Sequence, residues 1–446
     1  MRSEYRLATL IIEEIERKRI SFDKGFLKAL EKFSWRVNKP LAYKIAWKSL
    51  TSFMLADHLL VINNLGETPL RRKCAFRVAF YLIFRERRRL EEIRRFFGGL
   101  LTGRMFSILK NVEKAEKAEE LIDIEDKATF LALKYSHPIW LVEELLKVMS
   151  PQEVEKMLKS NERPVKWLRL NKFKKIKYGQ VIKRLRKSGL TFQADSHLDG
   201  VFEVRDIKSS IGALPLVEKG ILIPQDKGSV LAVHALGPER GDEIYDACAA
   251  PGLKTEYIYE LTEGRVHIIA GDLSINRAFE MKKILHKLIE KPVNIDIIIL
   301  DASKMIIKRD LDKILIDAPC TNSGAIAQDP ALRIILQDKK FLYEVVRVQW
   351  NILSHIVDAI DFNSLVYSVC SLLPHEGEAH VLKLVKEKGL EVEDVRIPGE
   401  GGYTVYGEKY GKVRRLFPHR HRSTGFFIAR LVKTRGKLSR LSKYSP

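Results

Sequence analysis

The chain has 446 residues, 30% charged and 46% hydrophobic. That length and balance give about two to four domains with sizeable cores and exclude a mainly disordered chain. Lys and Arg number 78 against 57 Asp and Glu, a net charge of +21, which favours a polyanion as partner, nucleic acid ahead of an anionic membrane surface. No apolar run approaches the ~18–20 residues that cross a bilayer, and the N-terminus leads into a charged amphipathic stretch, so a secreted, membrane-embedded or disulfide-framework protein is not expected.

Residues 1 to about 130 read as helical, holding only five of the 26 glycines and two of the 16 prolines. Leu7, Ile11 and Ile15 repeat at helical spacing. A further helix is expected over Ala75–Arg89, ending in a basic run of Arg85, Arg87, Arg88 and Arg89, with Arg94 and Arg95 beyond. Clustered arginines suit phosphate contacts, the alternative being a solvated helix face. His137-Pro138 opens one short helix, and Ser150-Pro151-Gln152-Glu153 opens another as a capping box with Pro at the first helical position. Short strands are then expected at Val165–Asn171, Val201–Val204 and Gly220–Gln225, with a basic segment at Lys172–Lys187.

From about residue 240 short aliphatic runs alternate with helical stretches. The runs are Glu243–Asp246, Val266–Asp272, Val293–Asp301, Lys313–Asp317 and Ser364–Val369. This is the rhythm of a doubly wound α/β sheet. The residues from Lys433 are basic and aperiodic, as in a flexible tail.

Three stretches carry chemistry. Asp246-Ala-Cys-Ala-Ala-Pro-Gly-Leu-Lys-Thr255 lies between a predicted strand and a predicted helix. Its small residues admit close approach of a ligand, and the helix N-terminus can receive an anion. Asp272, at the end of the next strand, is placed to accept ribose hydroxyls. No GxGxxG or GxxxxGK[ST] phosphate cradle is present. A nucleoside with an amino-acid tail and no phosphates, S-adenosylmethionine, fits better than a dinucleotide or a nucleoside triphosphate. The other two stretches are Ile314-Leu-Ile-Asp317-Ala-Pro-Cys320-Thr-Asn-Ser-Gly324 and Val366-Tyr-Ser-Val-Cys370-Ser-Leu-Leu-Pro-His-Glu-Gly-Glu378. Each sets a cysteine just past the C-terminal end of a predicted parallel strand, where ligands gather in such sheets. Either cysteine alone reads as a buried structural thiol, whereas two at one edge beside Asp317 point to reactivity. The four cysteines, Cys74, Cys248, Cys320 and Cys370, form no CxxC pair. No metal is therefore expected, and reduced thiols in a cytoplasmic protein are.

These three stretches, with Gly425-Phe426-Phe427-Ile-Ala429 as a last strand, resemble the RsmB/Sun (Fmu) family of RNA 5-methylcytosine methyltransferases. The N-terminal region is similar to that family's NusB-like domain through Tyr135-Ser-His-Pro138 and Trp140-Leu141-Val142. The resemblance implies a multidomain chain. It would hold an all-α NusB-like RNA-binding domain at 1–135 and a small α/β RNA-binding subdomain at 136–230. An α/β Rossmann-like class I methyltransferase domain would follow at 231–432, then a basic tail at 433–446. It implies Cys370 as nucleophile towards carbon 6 of cytosine, Cys320 as the helper of product release, and Asp317 as the acid that contacts the base and lies by the cofactor, which makes Asp317 both a candidate proton donor to N3 and a cofactor-site residue. Cys248, Ala249, Ala250, Pro251, Gly252, Leu253 and Lys254 match the cofactor loop. Asp272 matches the ribose contact, Asp301 the adenine-side contact, and Arg277 a basic position of the same site. Two departures stand out: Leu253 replaces the second glycine of the family's Gly-Gly-Lys, and Val369 replaces the Thr before the nucleophile. The implied activity is S-adenosylmethionine-dependent RNA (cytosine-C5) methylation by a monomer without metal or membrane. Ribosomal RNA is favoured over transfer RNA as substrate, and a non-catalytic RNA-binding ribosome-assembly factor is a further alternative.

Overall fold

A computed structural model describes all residues except 1–2, 35, 208–209, 290, 408–410 and 434–446. The expected tail beyond Lys433 thus lies outside the described residues. The chain divides into two compact units.

The first unit comprises Met1–Pro164 and Ala325–Phe341. All regular elements described in it are helical. The Leu7–Ile11–Ile15 face of helix Ser3–Lys18 is fully buried, as its spacing predicts. Helix Leu70–Phe84 is buried on nearly every side from Cys74 onward, as befits a central helix. Its fully buried Arg77 pairs with Asp57 at 2.6 Å and with Glu16. This helix stops before the basic run, not after it. Arg87 sits at a φ of 52°, and its guanidinium donates to the carbonyls of Ala115 (2.7 Å) and Glu116 (2.9 Å). Arg94 lies over the Phe106 ring. Part of the arginine cluster therefore holds the helices together.

The break expected at 135/136 falls inside this unit. His137 is wholly buried, with one ring nitrogen 2.8 Å from the Tyr135 carbonyl and the other 3.1 Å from the Asn161 amide. Lys134 pairs with Glu155 at 2.8 Å. Helices Ile139–Leu146 and Pro151–Ser160 bury Trp140, Leu141, Leu145, Val154 and Met157, so these apolar faces bind them to the helical unit. Ser150 caps the second of them, accepting from the Glu153 amide at 3.3 Å. The segment Ala325–Phe341 joins the same unit through side-chain hydrogen bonds. The Leu336 carbonyl accepts from the Trp140 indole at 2.7 Å, Asp329 accepts from the Phe22 amide at 3.1 Å, and Arg333 donates to the Asn161 carbonyl at 3.0 Å.

The second unit comprises Val165–Gly324 and Leu342–Pro446. It opens with an antiparallel sheet of β1 (Lys166–Leu170), β2 (Thr191–Ala194), β3 (Val201–Asp206) and β4 (Leu222–Pro224), in the order β2-β3-β1-β4. Strand β2 is absent from the sequence reading because it is mostly exposed and lacks an apolar alternation. Helix Tyr178–Lys187, inside the basic segment, covers this sheet with Val181 and Leu185. Arg169 of β1 is buried between Glu256, Glu260 at 2.8 Å and the Gln225 amide oxygen at 2.8 Å, which fastens the small sheet to helix Leu253–Leu261.

The large sheet holds β5 (Glu243–Asp246), β6 (His267–Asp272), β7 (Ile295–Ile299), β8 (Leu311–Asp317), β9 (Phe362–Val369), β10 (Leu390–Glu393), β11 (Arg414–Leu416) and β12 (Phe426–Lys433). Its order is β10-β12-β9-β8-β5-β6-β7, with β11 paired to β12. Strands β5 to β9 are mutually parallel and β12 runs antiparallel to β9. The order reverses between β5 and β8, a switch point that opens a crevice at the strands' C-terminal ends. Apolar clusters fill the sheet's two faces, and Val369, the residue before Cys370, is buried in one of them.

Candidate active site

All five parallel strands end at one edge, and the predicted site residues follow those ends. Strand β5 ends in Asp246, fully buried. Its Oδ2 accepts from Thr255 Oγ1 at 2.7 Å, while its Oδ1 is buried without a hydrogen-bond partner. Burial pushes this carboxyl up to about 7. The following loop is tied to both neighbouring strands: the Ala247 amide donates to the Leu315 carbonyl at 2.9 Å and the Ala249 amide to the Gly271 carbonyl at 2.8 Å. Gly252 closes the loop at a φ of 97°, where a Cβ would lie 2.7 Å from Met281 Cγ. Only glycine meets both demands. Leu253 then starts helix Leu253–Leu261 and is half-buried, its carbonyl accepting from Gln225 at 3.4 Å. The Cys248 thiol is half-buried, and burial pushes its pKa up, whereas Pro251 is exposed.

Asp272 ends β6. One oxygen accepts from the Ser274 amide at 3.0 Å, the other from the Ala250 amide at 3.3 Å, and Arg277 pairs with it at 3.4 Å while also donating to the Ala250 carbonyl. A carboxylate has about four acceptor positions, so Asp272 keeps capacity for a further donor. Asp301, just past β7, accepts from Ser303 through both the amide (3.0 Å) and the hydroxyl (2.7 Å). These bonds hold it below the usual carboxylate range.

Asp317 ends β8. Its Oδ2 pairs with the Lys254 ammonium and its Oδ1 accepts from Ser368 Oγ at 2.8 Å. Burial works against the Lys254 charge, but Asp317 outweighs it and keeps the amine protonated. An ammonium thus sits on one oxygen and a hydroxyl donor on the other.

Cys320 and Cys370 lie 3.0 Å apart, sulfur to sulfur. Cys370 Sγ is 2.7 Å from Asn322 Oδ1 and Cys320 Sγ is 3.6 Å from it. Cys320 is 8% exposed, and Cys370 is more open. The hydrogen bond to Cys370, then burial, then the negative charges of Cys370 and Glu376 raise the Cys320 pKa well above that of a free thiol. Beneath the thiols, the Gly324 amide donates to the Cys370 carbonyl at 3.1 Å and the Gly425 amide to the Gly324 carbonyl at 2.8 Å. A Cβ on Gly324 would sit 1.9 Å from the Gly425 oxygen, so two glycines are needed where these backbones meet.

The structure thus gathers Asp246, Lys254, Asp317, Cys320 and Cys370 at one edge, with Asp272 and Asp301 on the strands beside them. Sequence reasoning missed Asn322, Ser368 and the fully buried Glu376, and it left Lys254 without its partner. Glu376 stands in the quoted stretch around Cys370, but nothing in Pro374-His375-Glu376 marks it as buried.

The profile of the family described as 16S rRNA methyltransferase RsmB/F matches residues 233–432. The chain is 30% identical over 318 residues to the human 28S rRNA (cytosine(4447)-C(5))-methyltransferase, covering 68% of this chain and 38% of that protein. It is 35% identical over 235 residues to the tRNA (cytosine(72)-C(5))-methyltransferase of Pyrococcus horikoshii, covering 51% of this chain and 56% of that protein. The chain therefore spans between about two fifths and somewhat over half the length of these relatives. The crystal structure of PH0851 is similar in fold over 96% of this chain and 99% of its own, with a TM-score of 0.75 at 23% identity. With its paired cysteine loops and small-residue turn at the sheet's C-terminal edge, the chain matches the RsmB/F methyltransferase family over residues 233–432.

Proposed function

We propose that this chain is an S-adenosylmethionine-dependent RNA (cytosine-C5) methyltransferase acting on ribosomal RNA. The observation that carries the reading is the pair of thiols 3.0 Å apart beside the Asp317–Lys254 ion pair. The buried Asp246 Oδ1 without a partner fits a ligand ammonium, and the spare acceptor capacity of Asp272 fits a sugar diol. Asp246, the 248–254 loop, Asp272, Arg277 and Asp301 are the residues that would hold the cofactor. When bound, it supplies a methyl group activated on a sulfonium.

The protein's own residues do the rest. The Cys370 sulfur bonds to carbon 6 of cytosine, and the carbon 5–carbon 6 double bond gives its electrons to make carbon 5 nucleophilic. Negative charge spreads over the ring as this happens, and the Lys254 ammonium offsets it. Asp317, as a carboxylate, accepts from the exocyclic amine and so distinguishes cytosine from uracil. Once carbon 5 carries its methyl group, its proton passes to water, the electrons of that carbon–hydrogen bond re-form the carbon 5–carbon 6 double bond, and Cys370 leaves as a thiolate, with Cys320 assisting. The helical unit, as a NusB-like domain, and the basic helix Tyr178–Lys187 hold RNA phosphates while the base is taken out of its stack.

The 35% identity to a tRNA enzyme favours transfer RNA as the second reading. Methyl-labelled S-adenosylmethionine and total RNA separate the two. The expected result is label in 5-methylcytosine of ribosomal RNA. Label confined to transfer RNA selects the second reading, and label on another base contradicts both.

A further inference from the structure

Glu376 is wholly buried, and its carboxylate is saturated with donors from three elements. One oxygen accepts from the Thr321 amide at 2.8 Å and from Gln349 Nε2 at 3.0 Å. The other accepts from Thr321 Oγ1 at 2.6 Å and from Ser371 Oγ. Thr321 follows Cys320 and Ser371 follows Cys370. One carboxylate therefore grips the residue after each thiol, and it binds the Cys320 side through two atoms. Ser323 Oγ and Ser371 Oγ, 3.0 Å apart, add a cross-tie between the same loops.

We propose that Glu376 is the positioning residue of the thiol pair: it fixes the two loops in register and keeps the proton on Cys320, so that Cys370 is the sulfur that ionises. The consequence for methyl transfer rests on the reading above, whereas the ordering of the two thiols does not. A negative charge placed two bonded steps from Cys320 disfavours a second one there. The other charged or titratable groups around the pair keep this polarity. Lys254 lies within electrostatic reach of Cys370 and is paired to Asp317. Arg415, the buried cation behind Glu376, is taken up by Glu378 at 2.7 Å. His380 is held near neutral by burial and meets the amide of Gln349 at 3.1 Å, and the Tyr367 hydroxyl donates to the Glu376 carbonyl at 2.6 Å. No ion pair to Glu376 itself is found among the described residues. The Cys370 hydrogen bond and burial raise the Cys320 pKa most, and the charge of Glu376 adds to them in the same direction.

The ordering is testable without RNA or cofactor. Wild type and Glu376→Gln, which keeps the side chain's shape and removes its charge, are treated with iodoacetamide between pH 6 and 10. Alkylation at Cys320 and at Cys370 is followed by peptide mass spectrometry. The pH midpoint of each rate profile reports ionisation and is independent of access. In wild type the Cys370 midpoint is expected to lie below that of Cys320. In Glu376→Gln the Cys320 midpoint is expected to fall by at least one pH unit, about tenfold more thiolate at a fixed pH, while that of Cys370 stays or rises. A folded variant with both midpoints unchanged overturns the proposal. If the variant does not fold, wild type decides: a Cys320 midpoint at or below that of Cys370 overturns it too. Failure of the RNA assay leaves these midpoints readable, so the two readings fail separately.

Discussion

Arg169 shows how much of this site's support comes from residues far apart in the chain. It sits between Glu256 and Glu260, with the Tyr257 ring 4.1 Å away. Burial pushes Glu256 up to about 7 even with the arginine beside it. Removing the cation leaves two carboxylates out of water, with only the Lys172 amide at 3.0 Å on Glu260 to offset it among the described residues. Arg169→Met is therefore expected to lower stability by about 3–5 kcal/mol, measured by denaturant unfolding, and a loss under about 1 kcal/mol would contradict this role. Nothing local to Trp167-Leu168-Arg169 announces such a partner, since the two acids lie 87 and 91 residues further along the chain. The cysteines and aspartates were legible because each ends an aliphatic run, and run ends in an α/β sheet share an edge. Glu376, Asn322 and Arg169 were not legible, because burial of a polar side chain is decided by segments that meet only on folding.

At the scale of elements, the five parallel strands were readable within a few residues from their aliphatic runs. Strands β2, β10 and β11 were not, being short or mostly exposed. The far end of the sheet carries a test of strand registry. His267 of β6 lies 2.7 Å from Glu243 of β5 and 2.9 Å from Asp296 of β7, so one imidazole joins three strands. The Glu243 hydrogen bond, with that of Asp296, raises its pKa against a smaller effect of burial. A raised folded pKa means that this stabilisation is complete below the unfolded value of about 6.5. It is lost as pH rises through the folded value. The melting-temperature deficit of His267→Asn relative to wild type is thus expected to be largest at pH 6 and to shrink by pH 9. A deficit that does not change with pH would contradict the assignment.

For the whole molecule, the division into units departs most from the sequence reading. Ala325–Phe341 follows the Cys320 loop directly in the chain yet belongs to the helical unit. Linear order hides this, since a segment amid catalytic strands reads as part of their domain. The net charge of +21 gives the proposed RNA binding a measurable signature. Contact with about four phosphates of a single strand gives a slope near −2.8 in log affinity against log salt, or about a 50-fold loss between 50 and 200 mM. Cofactor affinity over the same range is expected to change less than about twofold, because that site neutralises no phosphates. RNA affinity insensitive to salt would contradict binding through the basic surface. Among the described residues no single helix is long and apolar enough to cross a membrane.

In the proposed mechanism Cys370 forms the bond to RNA and Cys320 helps to break it. The most direct test incubates wild type, Cys320→Ala and Cys370→Ala with S-adenosylmethionine and total RNA, and resolves protein–RNA adducts on a denaturing gel. A band that accumulates in Cys320→Ala and is absent in Cys370→Ala is expected. A band that persists in Cys370→Ala and disappears in Cys320→Ala would contradict it.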